Sequence, residues 1–308
     1  MRTLIIGGNG FIGSHLTNLL VAKNQSVRVY NHSLNPYLKP LDEVEYIYGD
    51  FGDQDLLKIA LKNVDIVYQL VSYTIPSTSN DNPIGDVNLN VINTLKFLEN
   101  CVHSSVQKII FPSSGGTVYG LPQQLPILET HPTEPICSYG ITKITIEKYL
   151  YLYNYLYGLD YSILRIANPY GPRQNPTGKL GAVTVFLNRI LQRLPIQIWG
   201  NGEIVRDYLY ILDVVQALYY VQNPNLTERL FNIGSGQGIS LNELLEKIRQ
   251  VIQDDFKVEY IQGRKVDIPT NVLDITKAKN ILQWQPTVQI ETGIQETWQW
   301  LKNLQVYY

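Results

Sequence analysis

The stretch LIIGGNGFIG, residues 4–13, decides the fold class. Its short apolar run ends in glycine, as buried strands of parallel sheets commonly do. From Phe11 onward the apolar side chains recur with helical spacing, so a helix follows. Between the two elements the glycines at positions 7, 10 and 13 allow a sharp turn and the close approach of a pyrophosphate to the helix N-terminus. The stretch therefore predicts the opening unit of a dinucleotide-binding fold, with a purely structural turn as the alternative.

The alternation of strand and helix continues to about residue 166. The pattern predicts strands at 27–30, 44–48, 65–70, 108–111 and 161–166, and helices at 11–23, 53–62, 87–104 and 139–157. Because such alternation builds parallel strands with right-handed crossovers, we predict an α/β fold with a Rossmann-like doubly wound parallel sheet. The breaker cluster at 168–172 ends the pattern. We therefore expect an NAD-binding domain at 1–167 and a smaller C-terminal α/β substrate lobe at 168–308, with some segments returning to the first domain.

Composition excludes several classes of protein. The net charge of -2 argues against a nucleic-acid-binding surface, and two cysteines with four scattered histidines argue against a metal centre. No apolar stretch of about 18 residues is present, so no membrane span is expected. The residues before the first glycines are too few for the apolar core of a signal peptide. We expect a cytoplasmic protein.

The end of the second predicted strand bears on the choice of cofactor. Asn31 stands where an acidic residue would contact the ribose hydroxyls of NAD. No arginine clearly replaces it, so NAD is favoured and NADP stays open. After the third predicted strand, Asp50 and Phe51 could hold the adenine amino group and ring face, with Asp50 as a helix cap the alternative.

Tyr139 and Lys143 are four residues apart on a predicted helix and thus lie on one face of it. An ammonium beside a tyrosine favours the phenolate, as would a bound nicotinamide cation. Such a tyrosine can accept a proton from an alcohol while hydride leaves the same carbon. This pair predicts dehydrogenase-type chemistry.

Together these residues resemble the extended short-chain dehydrogenase/reductase family, in its nucleotide-sugar epimerase/dehydratase branch. Further matches follow in the family's order along nearly the whole chain. They are FPSSGGTVYG at 111–120, LRIANPYGPRQ at 164–174, the Arg-Asp-Tyr segment at 202–208, FNIGSG at 231–236 and RKVD at 264–267.

The resemblance implies roles for individual residues. Tyr139 would be the base and Lys143 its partner, which also holds the nicotinamide ribose. The remaining cofactor contacts would come from Gly7, Gly10, Phe11, Ile12, Gly13, Asn31, Asp50, Phe51, Leu70, Val71 and Ser72. On the substrate side Asn168 would bind phosphate, Trp199 would flank the base, Arg206 and Arg264 would grip the diphosphate, and Asp267 would bind the nucleotide ribose.

The sequence departs from the family at Gly115, where a serine or threonine hydroxyl usually bonds the sugar oxygen. If this segment is extended, alternation places residues 113, 115 and 117 on one face. Thr117 is then the predicted substitute and a third catalytic residue. Activity by Tyr139 alone, through a water molecule, stays open.

The same segment argues against some of the reactions that this branch of the family catalyses. The branch's dehydratases and decarboxylases carry acidic residues where Gly116 and Thr117 stand here. What remains is epimerisation at C4 of a nucleoside-diphosphate sugar, in its UDP-glucose/galactose or N-acetyl form, through a transient 4-keto intermediate. Two alternatives are an NAD(P)H-dependent reductase of a nucleotide 4-keto sugar and a non-catalytic dinucleotide-binding sensor.

Two further expectations follow from the resemblance. Asn271 stands at a position that gates the sugar pocket in the family's 4-epimerases. Its small size would admit an N-acetyl group, unless its own hydrogen bonds close the gap. The predicted helices at 87–104 and 139–157 correspond to the family's dimer-forming pair, so we expect a homodimer, although core packing would also explain their apolar residues.

Overall fold

The computed structural model describes residues 1–34, 39–263 and 268–305. The strands within these ranges are β1 Arg2–Ile6, β2 Ser26–Asn31, β3 Val44–Tyr48, β4 Ile66–Gln69, β5 Lys108–Ser114, β6 Asp160–Ile166, β7 Asn168–Tyr170, β8 Ile196–Trp199, β9 Val205–Tyr210, β10 Leu230–Ile233, β11 Gly238–Ser240, β12 Val258–Ile261 and β13 Thr270–Asn271.

The α-helices are α1 Phe11–Ala22, α2 Gln54–Ala60, α3 Pro83–Asp86, α4 Asn93–Val102, α5 Ser138–Tyr157, α6 Ala182–Leu191, α7 Ile211–Tyr220, α8 Leu241–Ile252 and α9 Ile290–Gln305. A 3-10 turn covers Ser79–Asp81, and π-helical turns cover Val87–Ile92 and Ala278–Leu282. The turn at Val87–Ile92 joins α3 to α4 without a break, so the chain is helical from Pro83 to Val102.

Seven strands form the main sheet in the order β10-β6-β5-β4-β1-β2-β3. Parallel pairing joins β3 to β2, β2 to β1, β1 to β4 and β4 to β5. The chain moves outward from β1 to β3 and then returns to the other side of β1 with β4. This reversal is the switch point at which doubly wound sheets bind ligands beyond the carboxyl ends of their strands. The predicted doubly wound sheet is thus confirmed.

An apolar core lies between the main sheet and the helices α4 and α5. Leu4, Val67 and Ile109 from neighbouring strands pack with Phe97 of α4 and Ile146 of α5, and all five are buried. Removing each such side chain from water contributes roughly 1.5–3 kcal/mol. The core holds α4 and α5 to the sheet and so fixes the helix that carries Tyr139.

The chain folds into two compact units, each built from separate stretches of sequence. The first comprises Met1–Tyr119, Thr133–Arg165 and Val215–Phe231, and the second Gly120–Pro132, Ile166–Val214 and Asn232–Tyr308. In the second unit β11, β9 and β13 pair side by side, β7 pairs with β9, and β8 pairs with β12. The domain boundary at 167 stays a prediction.

Membrane-spanning helices are lacking throughout the ranges described above.

Candidate active site

The glycine turn follows β1 in a conformation that only glycine tolerates well. Gly7 has φ +88°, and its N–H donates to the Tyr30 carbonyl at 2.8 Å. A side chain at Gly13 would place Cβ 2.2 Å from the Gly7 carbonyl oxygen. Because α1 packs so closely on the turn, the spacing of the glycines is a steric requirement.

The start of α1 fits a diphosphate. Gly10 is the N-cap residue, no side chain caps the helix, and its first turn holds no acidic residue. The first N–H groups of an α-helix lack intrahelical acceptors and carry partial positive charge. The cradle thus offers what the pyrophosphate of NAD requires, in the backbone N–H groups beyond Gly10.

The residues after β4 lie against this turn. A Cβ on Gly7 would come 3.3 Å from Val71 Cγ2 and 3.4 Å from Leu70 Cβ. Ser72 follows, and its hydroxyl donates to the Thr74 carbonyl at 3.1 Å. The structure thus brings together two predicted cofactor segments, the glycine turn and residues 70–72.

Asn31 is the last residue of β2, and its side chain forms hydrogen bonds within the protein. Its Oδ1 accepts from the Asn9 N–H at 3.3 Å, and its Nδ2 donates to the Ser33 carbonyl at 2.8 Å. The side chain therefore connects the loop after β2 to the glycine turn and brings no negative charge to it.

The helix-cap alternative for Asp50 is wrong. The N-cap of α2 is Asp53, whose Oδ1 accepts from the Leu56 N–H at 3.0 Å. Asp50 instead accepts from the Gly52 N–H at 2.7 Å and from the Tyr73 hydroxyl at 2.9 Å. This places Asp50 between the loops that follow β3 and β4.

Phe51 is only 3 % exposed, and its ring centroid lies 5.6 Å from that of Phe97. The ring therefore belongs to the core, which leaves the backbone as the part of Phe51 best able to meet an adenine.

Tyr139 and Lys143 lie on the first two turns of α5. Lys143 is 7 % exposed, and its Nζ lies 5.6 Å from the Tyr139 ring centroid. The same Nζ donates to the Pro112 carbonyl at 3.1 Å and lies 4.5 Å from the Phe111 ring centroid. The lysine is thus held between α5 and the end of β5, beside the tyrosine.

Burial governs the electrostatics of this pair. Desolvation lowers the pKa of Lys143 to about 8, against the opposing charges of Glu147 and Asp86. Desolvation also raises the pKa of Tyr139 well above its usual range, with further increases from Cys137 and Asp86. Loss of water is the largest influence on both groups, so burial opposes the charged form of the tyrosine as well as that of the lysine.

The extended arrangement assumed for residues 113–117 is also wrong. β5 ends at Ser114, and the chain turns, with the N–H of Val118 donating to the Ser114 carbonyl at 3.2 Å. Strict alternation of faces does not apply to such a turn. Thr117 nevertheless lies beside α5, because a Cβ on Gly140 would come 2.9 Å from the Thr117 carbonyl oxygen. Its Oγ1 is buried and finds no hydrogen-bond partner among the described residues.

Sequence reasoning missed two buried carboxylates in the first unit. Glu147 forms an ion pair with Arg165 at 2.6 Å and accepts from the Ser113 hydroxyl at 2.5 Å. The spacing of Glu147 from Lys143, again four residues, was a usable signal. Asp86 accepts from Ser138, the residue before Tyr139, and nothing local in the sequence indicates this contact.

The predicted substrate residues Asn168, Arg206 and Asn271 lie on paired strands of the second unit. Asn168 donates to the Asp207 carbonyl at 3.0 Å, and Asn271 is in register with Arg206. Arg206 Nη1 donates to the carbonyls of Val205 and Ile268 at 2.8 and 2.7 Å. Trp199, at the end of β8, is 43 % exposed. The predicted residues Arg264 and Asp267 lie outside the described residues.

Asp207 explains why this group of strands is fixed. It is fully buried and accepts from the N–H and hydroxyl of Ser235, at 2.6 and 2.7 Å, and from the N–H groups of Gly236 and Leu273. Burial raises its pKa, while the donors oppose that shift. Arg206 is the residue that the sequence indicates in the segment at 202–208. Asp207, however, forms the hydrogen bonds that hold this segment to Ser235, Gly236 and Leu273.

Groups of three or more metal-ligating side chains that could hold an ion are lacking in the part of the chain that the structure describes.

Comparisons with known proteins agree with this geometry. The profile of the NAD dependent epimerase/dehydratase family matches residues 3–234. The UDP-glucose 4-epimerase of Mycolicibacterium smegmatis is 33% identical, over 98% of this chain and 99% of that protein. The dTDP-4-dehydro-6-deoxyglucose reductase of Escherichia coli is 37% identical, over 94% of each.

Solved structures are also similar to this chain. The UDP-glucose 4-epimerase of Thermotoga maritima, crystallised with UDP-glucose, superposes with a TM-score of 0.93 at 34% identity and covers 99% of this chain and 100% of that one. Fold, glycine turn, Tyr-Lys pair and sequence profile thus agree, and the chain belongs to the NAD-dependent epimerase/dehydratase family.

Proposed function

We propose that the protein inverts C4 of a UDP-hexose, interconverting UDP-glucose and UDP-galactose or their N-acetyl forms through a transient 4-keto sugar. The observation that carries the proposal is the Tyr139–Lys143 pair on α5, with its lysine buried, in the same unit as a diphosphate cradle at the start of α1. Similar proteins named UDP-glucose 4-epimerase support the choice of substrate.

Tyr139 accepts the proton of the 4-hydroxyl group and later returns it to the 4-keto oxygen. NAD, when bound, supplies the hydride acceptor and donor for C4. Since burial favours the neutral phenol, Tyr139 needs a positive field to work as a base. Lys143 supplies that field while protonated, and the Pro112 carbonyl holds its ammonium group in place.

Thr117 is the proposed hydroxyl that contacts the sugar oxygen. Its Oγ1 is buried without a hydrogen-bond partner in the described residues, an arrangement that costs about 1–3 kcal/mol. A substrate oxygen that accepts from this hydroxyl would remove the cost. The Thr117 hydroxyl would then assist Tyr139 in proton transfer, which Gly115 cannot do because glycine has no side chain.

The substrate's diphosphate is assigned to Arg206 and Arg264, because guanidinium groups bind phosphate oxygens with two parallel hydrogen bonds. Asn168 and Asp267 are assigned to the phosphate and the nucleotide ribose, Trp199 to the base, and Asn271 to the sugar pocket. Tight binding away from C4 is useful here because the sugar must turn over while the nucleotide stays bound.

Reduction of a nucleotide 4-keto sugar is the second candidate function. The similarity to a dTDP-4-dehydro-6-deoxyglucose reductase favours it, and the same tyrosine would then donate a proton. Dehydration is disfavoured, because the sequence has Gly116 and Thr117 where the branch's dehydratases carry acidic residues.

A homodimer is proposed from the apolar surface of two adjacent helical segments. Tyr155 is 78 % exposed on α5, beside Tyr151 and Leu156, and Leu89 and Ile92 are exposed on the π-helical turn. Large apolar side chains exposed on neighbouring helices are typical of protein interfaces. A cytoplasmic location is proposed because both cysteines are free thiols, as is usual in reducing compartments.

The experiment incubates the purified protein with NAD and each of UDP-glucose, UDP-galactose and their N-acetyl forms, and follows C4 inversion by proton NMR. Inversion supports the epimerase. NADPH consumption with a nucleotide 4-keto sugar, and no inversion, would establish the reductase instead. Tight NAD binding without either reaction would indicate a dinucleotide sensor.

A further inference from the structure

Asp86 is a buried carboxylate at the end of α3. It is 1 % exposed and accepts three side-chain hydrogen bonds. The donors are Ser138 Oγ at 2.6 Å, Thr74 Oγ1 at 2.7 Å and Asn90 Nδ2 at 2.7 Å. Such a well-satisfied group in the interior holds its donors in one arrangement.

The three donors come from three different segments of the first unit. Thr74 lies two residues beyond the predicted nicotinamide segment at 70–72, Asn90 lies in the π-helical turn, and Ser138 is the first residue of α5. The Ser138 N–H also donates to Asn80 Oδ1 at 2.8 Å. Asp86 therefore ties the loop after β4 to the residue that precedes Tyr139.

An irregular helical turn follows Asp86. The π-helical turn Val87–Ile92 begins directly after Asp86, and π turns in α-helices are often found at functional sites. Within the turn Asn90 bonds Asp86 through Nδ2 and accepts from the Tyr73 N–H at 3.0 Å. The loop is thus held at two consecutive residues, Tyr73 and Thr74.

The charge of Asp86 has no ion-pair partner in the ranges that the structure describes, where all three of its donors are neutral side chains. It acts instead on the nearby Tyr-Lys pair, since its negative charge raises the pKa of both Tyr139 and Lys143. Cys137 also acts on Tyr139, and Glu147 on Lys143.

We propose that Asp86 is a positioning residue for the reaction, and this rests on the proposed function. Its bonds to Thr74 and Ser138 fix the cofactor-side loop against the start of α5 and hold a negative charge beside the residue that precedes Tyr139.

Two variants separate the bonds from the charge. Asp86→Asn removes the charge, while its Oδ1 can still accept from Asn90 and Thr74 and its Nδ2 can donate to the Ser138 hydroxyl. Ser138→Ala removes one bond and keeps the charge, and alanine suits the first turn of a helix. Asp81→Asn, which neutralises an exposed carboxylate five residues before Asp86, is the matched control.

The charge is tested by titrating Lys143 in protein labelled with ε-13C lysine, with the signal assigned by its loss in Lys143→Met. Removing a nearby negative charge makes the ammonium less stable. In Asp86→Asn the lysine midpoint should fall by about 0.5–1 pH unit, and in Asp81→Asn it should not move. Equal midpoints in the wild type and Asp86→Asn would overturn the electrostatic role.

The bonds are tested by hydrogen exchange of the loop at 70–74 and of the first turn of α5. Exchange in both segments should rise together in Ser138→Ala, with kcat about tenfold lower and the pH profile unmoved. Unchanged exchange in both segments would show that the Asp86–Ser138 bond does not hold the loop at 70–74 to the start of α5. The lysine titration and the hydrogen exchange do not need turnover. A wild-type protein without epimerase activity would therefore refute the proposed function, and these two measurements would still decide the role of Asp86.

Discussion

The Lys143 ammonium lies 5.6 Å from the centre of the Tyr139 ring and donates to the Pro112 carbonyl at 3.1 Å. One helix thus presents both members of the proton-transfer pair, and the end of β5 fixes the lysine. Because this arrangement is buried, the charge of the lysine depends on pH within the range where enzymes are assayed.

The pKa of Lys143, lowered by burial to about 8, predicts the alkaline limb of the activity profile. As the pH rises through this value the free enzyme loses the ammonium that favours the phenolate, so kcat/KM should decline. Lys143→Arg keeps a positive charge and should abolish this limb, even if the maximal rate falls. The exposed Lys148→Arg is the control, and a limb that persists in Lys143→Arg would assign it to another group.

Thr117→Val should separate catalysis from stability. The valine methyl replaces a buried hydroxyl that has no protein partner in the described part of the chain, so the free energy of unfolding should stay within about 0.5 kcal/mol or rise. If the hydroxyl bonds the sugar oxygen, kcat should fall about tenfold or more. Urea unfolding and steady-state kinetics measure the two effects. An unchanged kcat would remove Thr117 from the reaction and favour Tyr139 with a water molecule.

Gly13→Ala should abolish NAD binding. Its Cβ would lie 2.2 Å from the Gly7 carbonyl oxygen and 2.7 Å from the Gly8 Cα, so the turn must open. The backbone N–H groups at the start of α1 would then no longer converge on a diphosphate. Isothermal titration with NAD measures the loss. The control Gly178→Ala meets nothing closer than 3.4 Å and should bind NAD like the wild type.

Glu147→Gln should destabilise the protein because it leaves Arg165 buried without its anion. The two side chains are 5 % and 6 % exposed, and breaking such a pair costs about 3–5 kcal/mol. Arg193→Met breaks an ion pair whose arginine is 76 % exposed and should cost about 1 kcal/mol or less. Urea unfolding compares the two, and equal losses would show that burial does not decide the contribution of the pair.

Much of the fold could be predicted because its signals are local. The glycine turn, the alternation of strands and helices and the i, i+4 spacing of Tyr139 and Lys143 are all contained in short stretches. The structure has α1 at Phe11–Ala22 and α5 at Ser138–Tyr157, within one residue of the predicted bounds.

The rest depends on contacts between distant residues. Asp86 meets Ser138 across 52 positions, and Asp207 meets Leu273 across 66. Neither pairing leaves a periodic pattern. The turn at 115–117 differs from the predicted extended segment because two consecutive glycines permit either an extended or a turned backbone. The pKa of Tyr139 also depends on the loss of water, which a sequence does not show.

Tyr139→Phe tests the central claim most directly. The variant lacks only the hydroxyl oxygen that is proposed to exchange the proton with the sugar. NMR should show C4 inversion reduced at least a thousandfold, while NAD binding and the unfolding midpoint match those of the wild type. Tyr155→Phe, altered at an exposed tyrosine of the same helix, should remain active. Inversion by Tyr139→Phe at the wild-type rate would contradict the account.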